Sequence, residues 1–146
     1  MTLVELIVAF TIMIILSTMA LPLARVKVRR EKERELRYAL REIRSAIDRY
    51  KDAADQNKLG PQKLEAENYP PDLQTLVDGV KMQGTVDKKI RFLRRVPEDP
   101  MMRNKDWGMR AAQDDPTAQS WGGQNIFDVY SKSTDNALDG SKYSDW

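Results

Sequence analysis

From Leu6 to Ala24 the chain is an almost unbroken run of Leu, Ile, Val, Met, Ala and Phe, with Thr11, Ser17 and Thr18 as the only hydroxyls. That is close to the roughly 20 residues a helix needs to cross a bilayer core. Pro22 falls near the end of the run, where it removes one backbone hydrogen bond and crowds the carbonyl four residues earlier. It reads either as a tolerated kink in a membrane helix or as a weak point at which the helix can stretch. The pattern then changes. Leu36, Leu40, Ile43, Ile47 and Tyr50 recur at alternating spacings of four and three, and charges fill the positions between them. This is a narrow apolar stripe on one face of a helix. Glu33–Arg37 supports that helix by a few tenths of a kcal/mol, and the like-charged Asp48–Asp52 opposes it by as much. A stripe of about two heptads falls short of the three to four that sustain a coiled coil, so it is assigned to a small domain packing back on the helix. Gly60 and Pro61 supply the stop. From Thr2 to about Gln56 the two patterns join into one rod, roughly 80 Å long at 1.5 Å per residue.

The remainder reads as short pieces. "NYPPDLQTLVDG" predicts a turn and a short amphipathic helix, with Asp72 as N-cap, Leu73, Leu76 and Val77 inward, and Gly79 at the stop. Ile90 to Leu93 is a short apolar piece. "NIFDVYSKS" alternates as a strand does, with Ile126, Val129 and Tyr130 as β-formers. The stretch between Met101 and Gln124 holds Trp107 and Trp121, and a loop of that length with two tryptophans is expected to fold onto something. The fold class expected is α+β: a long N-terminal helix with a membrane or filament-core half and an amphipathic half, packed on a small C-terminal domain of short helices and a small antiparallel sheet. The divisions are 1–24, 25–58 and 59–146.

Composition narrows the chemistry. The chain of 146 residues has no His and no Cys. The commonest neutral-pH general base and every thiol reaction are therefore absent, and any bound metal should be a hard, oxygen-seeking ion. There is no Gly-rich phosphate loop. Aspartate pairs without a cleft to place them are weak support for acid–base work, so the chain is read as non-enzymatic. Net charge is +2 with 32% charged residues, and so near a balance makes no case for nucleic acid. Arg25, Lys27, Arg29 and Arg30 crowd directly behind the apolar run. By the positive-inside rule they mark the cytoplasmic side, which conflicts with a C-terminal domain outside the cytoplasm. Removal of a basic leader before Met1 resolves the conflict.

One carboxylate, Glu5, stands at the head of the apolar run. It has three readings: hydrated at the headgroup level, part of an ion pathway, or paired with a positive group of another chain. An ionisable group in such a segment is a functional candidate whose partner must be named. The α-ammonium of Met1 on an axially shifted second copy is one such partner. At the other end of the chain, "YSKSTDNALDGSKYSDW" places Asp135, Asp139 and Asp145 among Asn, Ser and Gly. Three carboxylates in turn-forming sequence suit calcium, although the spacing is not that of an EF-hand, and solvated acidic tails are the commoner case.

"TLVELIVAFTIMIILSTMALP" resembles the N-terminus of mature type IV pilins and type II secretion pseudopilins, in which one residue, usually Phe, precedes T-L-x-E and an apolar helix with a proline near its end. Thr2, Leu3, Glu5 and Pro22 match, and Met1 stands in place of the Phe. Further along, Tyr69-Pro70 with Leu73 and Leu76, then Phe92 to Pro100, then Phe127-Asp128-Val129-Tyr130-Ser131 are similar, in order, to segments of the major pseudopilin of type II secretion systems. The 101–124 stretch departs from that family, which turns directly into its sheet after the Asp-Pro pair. The lack of Cys departs from the many type IV pilins that close a C-terminal loop by a disulfide.

The resemblance implies a structural subunit that leaves the bacterial inner membrane, where it is a single-pass protein. It then polymerises into a helical periplasmic or extracellular filament that supports export of folded proteins across the outer membrane. It implies N-methylation of Met1 and a Glu5–Met1 contact between subunits. It also implies Pro22 as the place where the helix loosens, and calcium in the loop after Ser131. For calcium it points to the Lys132 carbonyl and Asp135, with Asp139 and Asp145 competing for the second carboxylate. Asp145 is favoured because it adjoins the terminal aromatic. Implied partners are further copies, minor pseudopilins, an inner-membrane platform protein, an assembly ATPase and a prepilin peptidase. A type IV pilus subunit for adhesion or motility is the alternative, and a membrane-anchored enzyme or binding domain a more distant one.

Overall fold

The computed structural model describes residues 2–146. One helix, α1, runs unbroken over Leu3–Asp55. Its start is set by Thr2, which has extended backbone and accepts a hydrogen bond from the Glu5 amide on its hydroxyl, satisfying one of the orphan donors of a first turn. Its end falls at Gln56, as the sequence predicts, with Asn57 rather than Gly60 closing it. Asn57 takes the left-handed conformation (φ 53°), its N–H donates to Ala54 O and the Lys58 N–H to Ala53 O, both at 3.0 Å. This is the paired closure of a Schellman motif, with Asn in the place Gly usually takes. Pro22 lies inside α1 and has no N–H to give the Thr18 carbonyl.

The rest of the chain is a sequence of short elements. A 3₁₀ turn at Leu64–Ala66 precedes α2 (Leu73–Asp78). As the sequence predicts, Asp72 caps α2, accepting from the Thr75 amide at 2.6 Å and the Thr75 hydroxyl at 2.8 Å. Strands β1 (Val80–Lys81) and β2 (Lys89–Ile90) pair antiparallel, Val80 opposite Ile90. Strands β3 (Gly108–Arg110) and β4 (Asp128–Tyr130) form a second antiparallel pair, Met109 opposite Val129. A 3₁₀ turn at Tyr143–Asp145 ends the chain. The architecture is α+β as expected, with two small sheets where the sequence suggested one.

All five residues of the predicted stripe are buried, joined by Ala39, Ala46 and Ala54. They pack on Leu76, Phe92, Leu93, Trp107, Ile126 and Val129 in one core. The apolar face of the charged half is therefore used up within the chain. Two β-ladders this short are not stable alone; the helix face holds them. Trp107 is the largest buried side chain, and its indole N–H donates to Pro97 O at 2.9 Å. Asp99 is fully buried, accepting from the Met101 amide at 2.8 Å and the Ser131 hydroxyl at 2.5 Å. That bond ties the Asp-Pro turn to the end of β4.

The segment 101–124 is not one long loop. Its middle is strand β3, and only 101–107 and 111–125 are irregular. Gly108 lies against the Tyr130 ring with no room for a Cβ, which is why the strand can cross there. The second irregular piece is closed by Asp114, which accepts from the Ala111 amide at 2.7 Å and the Gly122 amide at 3.0 Å. Trp121 stays partly exposed, donating to Asn125 O at 2.7 Å.

Candidate functional site

Among the described residues the N-terminal half of α1 has no partner within the chain. An 18-residue window within the helix has a mean hydropathy of 2.4 and is 0% buried, so the helix is long and apolar enough to cross a membrane. Thirteen large apolar side chains from Leu3 to Leu23 are exposed. At roughly 1.5–3 kcal/mol each, their exposure to water is worth on the order of 20–40 kcal/mol, above the 5–15 kcal/mol that usually holds a domain together. The polar side chains of this half need little water. Thr11 donates to Ile7 O at 2.7 Å, Ser17 to Met13 O at 2.7 Å and Thr18 to Ile15 O at 2.8 Å, the back-bonding by which hydroxyls are carried in apolar surroundings.

Glu5 is the exception. It is exposed in the first turn of α1, where the partial positive charge of the helix N-terminus favours a carboxylate. Among the described residues its carboxylate has no hydrogen-bond or ion-pair partner. Met1, which the sequence offers as that partner and as the site of N-methylation, lies outside the described residues.

The acidic C-terminal loop docks on the base of the charged half of α1. Glu33 Oε1 accepts from the Tyr143 hydroxyl at 2.9 Å and the Leu138 amide at 2.8 Å. Arg29 donates through Nε to the Tyr143 hydroxyl at 3.2 Å, and through Nη2 to Asn136 O. The Tyr143 bond raises the Arg29 pKa further. The Tyr143 hydroxyl is pushed up first by burial, against the pull of Arg29. One turn on, Arg37 lies over the Trp146 ring, 4.1 Å from its centroid, and 3.9 Å from Asp139. Trp146 donates to Ser141 Oγ at 2.7 Å and meets Tyr143 edge to face. Arg110 joins this loop to the rest: it stacks on Tyr130 and donates to Ala118 O and Ser144 O. Asp128 receives Arg44 at 2.6 Å and Arg110 at 3.6 Å.

Of the four residues expected at the metal, Lys132 enters by its backbone carbonyl and Asp135, Asp139 and Asp145 by their carboxylates. Among the described residues no three acidic side chains converge as metal ligands. Asp139 accepts from the Ser141 amide and hydroxyl, at 2.9 and 2.6 Å, and these bonds hold its carboxyl below the usual range. Among the described residues the Asp145 carboxylate accepts only from Ser144 Oγ, at 3.5 Å, and the Asp135 carboxylate accepts no hydrogen bond. Lys132 sends its ammonium to Asp106 at 2.7 Å. The residues that do converge, Arg29, Glu33, Arg37 and Tyr143, were missed from sequence. The signal was present: Arg29 and Glu33 continue the four-three spacing of the stripe backwards from Leu36. No protein-family model, curated protein or solved structure matches this chain.

Proposed function

We propose that this chain is the structural subunit of a pseudopilus-type filament of a type II secretion system, supporting export of folded proteins across the outer membrane. One observation supports the reading: a single helix has one half that forms the core of a domain and another, bilayer-length and apolar, without any covering among the described residues. A membrane covers that half before assembly and the same half of neighbouring copies covers it afterwards. Glu5 then pairs with the amino terminus of an axially shifted neighbour and sets the register, and Pro22 is where the helix loosens as it packs. Minor pseudopilins, a platform protein, an assembly ATPase and a prepilin peptidase serve such a filament, and Met1 is the N-methylated residue.

Calcium at the acidic loop is part of this proposal. It is supported by the two exposed carboxylates, Asp135 and Asp145, that the loop's own contacts leave largely unused, with the Lys132 carbonyl as a third hard oxygen. A metal bound only by the folded loop adds to its stability by mass action.

The test is electron microscopy of the assembled protein with Glu5→Leu beside the natural chain. Short filaments and a secretion defect on deletion are expected, with filament yield lost in the variant. Long surface fibres without a secretion defect would support an adhesion or motility pilus instead. A protein that never polymerises rejects the reading.

A further inference from the structure

Where the apolar half of α1 meets the domain there is a cavity of about 500 Å³. Arg25, Val28, Arg29 and Lys32 form its helix wall, at the i, i+3, i+4, i+7 spacing of a single face, and Met101 and Asp135 stand opposite. Arg29 is engaged by Tyr143 and Asn136, and Asp135 acts on it electrostatically. That leaves Arg25 and Lys32, neither in an ion pair among the described residues, facing a cavity with an apolar floor of Val28 and Met101. Three cationic groups against two carboxylates, Asp135 and the Glu33 that shares Tyr143 with Arg29, leave the cavity positive by one charge. Lys27 and Arg30 lie on the other side of the helix.

The geometry points to a binding site for the phosphate of an anionic glycerophospholipid, used while the subunit is in the membrane. This rests on the reading of the preceding apolar run as a bilayer segment. The headgroup layer is roughly 5–8 Å deep on each side of the hydrocarbon, or about three to five residues of helix, so Arg25 falls within it directly behind Ala24 and Arg29 at its outer edge. Lys32 reaches back by its flexible stem. Arg25 supplies a planar fork for two phosphate oxygens and Lys32 a point charge. Val28 and Met101 line the way along which the acyl chains join the apolar helix. The lipid recognised is anionic because a zwitterionic headgroup brings its own ammonium to a cavity that is already positive.

The site is tested with the full chain in phosphatidylcholine vesicles that carry a trace of dansyl-labelled phosphatidylglycerol or dansyl-labelled phosphatidylcholine. The readout is energy transfer from tryptophan. Trp146 lies against Tyr143, a residue of the cavity wall, with ring centroids 5.1 Å apart. A basic group near the surface is worth about fivefold in attraction to an anionic lipid. The natural chain should therefore prefer the phosphatidylglycerol probe by about tenfold or more. Arg25→Gln/Lys32→Gln should lose most of the preference with an unchanged melting temperature. Lys27→Gln/Arg30→Gln should keep most of it. Equal transfer to both probes in the natural chain, or equal losses in the two variants, overturns the site while leaving the membrane reading intact. A chain that does not stay with the vesicles at all overturns both.

Discussion

Glu33 and Tyr143 are 110 positions apart and share a 2.9 Å hydrogen bond, with the same carboxylate oxygen also holding the Leu138 amide. This bond acts together with the burial of Tyr143 and Ala137 in the core to fix where the C-terminal loop sits on α1. Glu33→Ala removes the acceptor of both bonds at once. Water reaches Leu138 and limits the loss there, so the cost is about 1 kcal/mol, a fall of several degrees in melting temperature. Amide exchange at Leu138 and Tyr143 should quicken by more than exchange in β4. Equal protection in the variant would show that the loop is held by something else.

The two halves of α1 should answer differently to the same substitution. Ile43 is completely buried and Ile14 is 62% exposed. Ile43→Ala should cost about 2–5 kcal/mol in urea unfolding of the detergent-solubilised subunit. Ile14→Ala should leave that unfolding unchanged and weaken filaments instead. A domain destabilised by Ile14→Ala would mean that the apolar half folds back on it.

Gly108→Ala places a methyl group in the Tyr130 ring, which Arg110 stacks on from 4.1 Å. The ring must move, and overpacking of this kind costs about 1–3 kcal/mol. The urea midpoint should fall, and near-ultraviolet circular dichroism should report a changed tyrosine environment. An unchanged midpoint would place the β3–β4 crossing elsewhere.

Acid should loosen the loops before the core. Hydrogen bonds hold the carboxyls of Asp114 (from Ala111 and Gly122) and Asp139 (from Ser141) below their ordinary 3.8. A carboxyl with a depressed folded-state pKa contributes stability that is complete above the unfolded value and lost as pH falls through the folded one. The melting temperature should hold at pH 5 and decline below pH 4, less steeply for Asp114→Asn. In base the sign reverses. Burial raises the Tyr50 and Tyr143 hydroxyls above 10.0, so the stability they contribute is complete below that value and is lost as pH rises past it.

For calcium, chelation by EDTA and Asp135→Ala should each lower the melting temperature and the filament yield. Elemental analysis showing no bound calcium, together with a melting temperature indifferent to EDTA, removes the metal from the reading.

Local chemistry was enough for much of this molecule. The apolar run, the stripe from Leu36 to Tyr50, the Asp72 cap and a strand at Val129 and Tyr130 follow from period and propensity, which neighbouring residues impose on one another, although that strand is only Asp128–Tyr130 and leaves out Ile126. The helix end near Gln56 was legible, but that Asn57 rather than Gly60 takes the left-handed position was not, because Asn tolerates such a backbone without announcing it. The sequence alone determined a bilayer-length helix that continues into a domain-bearing one. Tertiary structure alone decided that β3 emerges from the middle of the 101–124 stretch, that Asp99 meets Ser131, and that Arg29 and Glu33 hold Tyr143. Those contacts join residues tens of positions apart through single polar atoms, and no periodicity along a chain encodes which distant donor will reach a given acceptor.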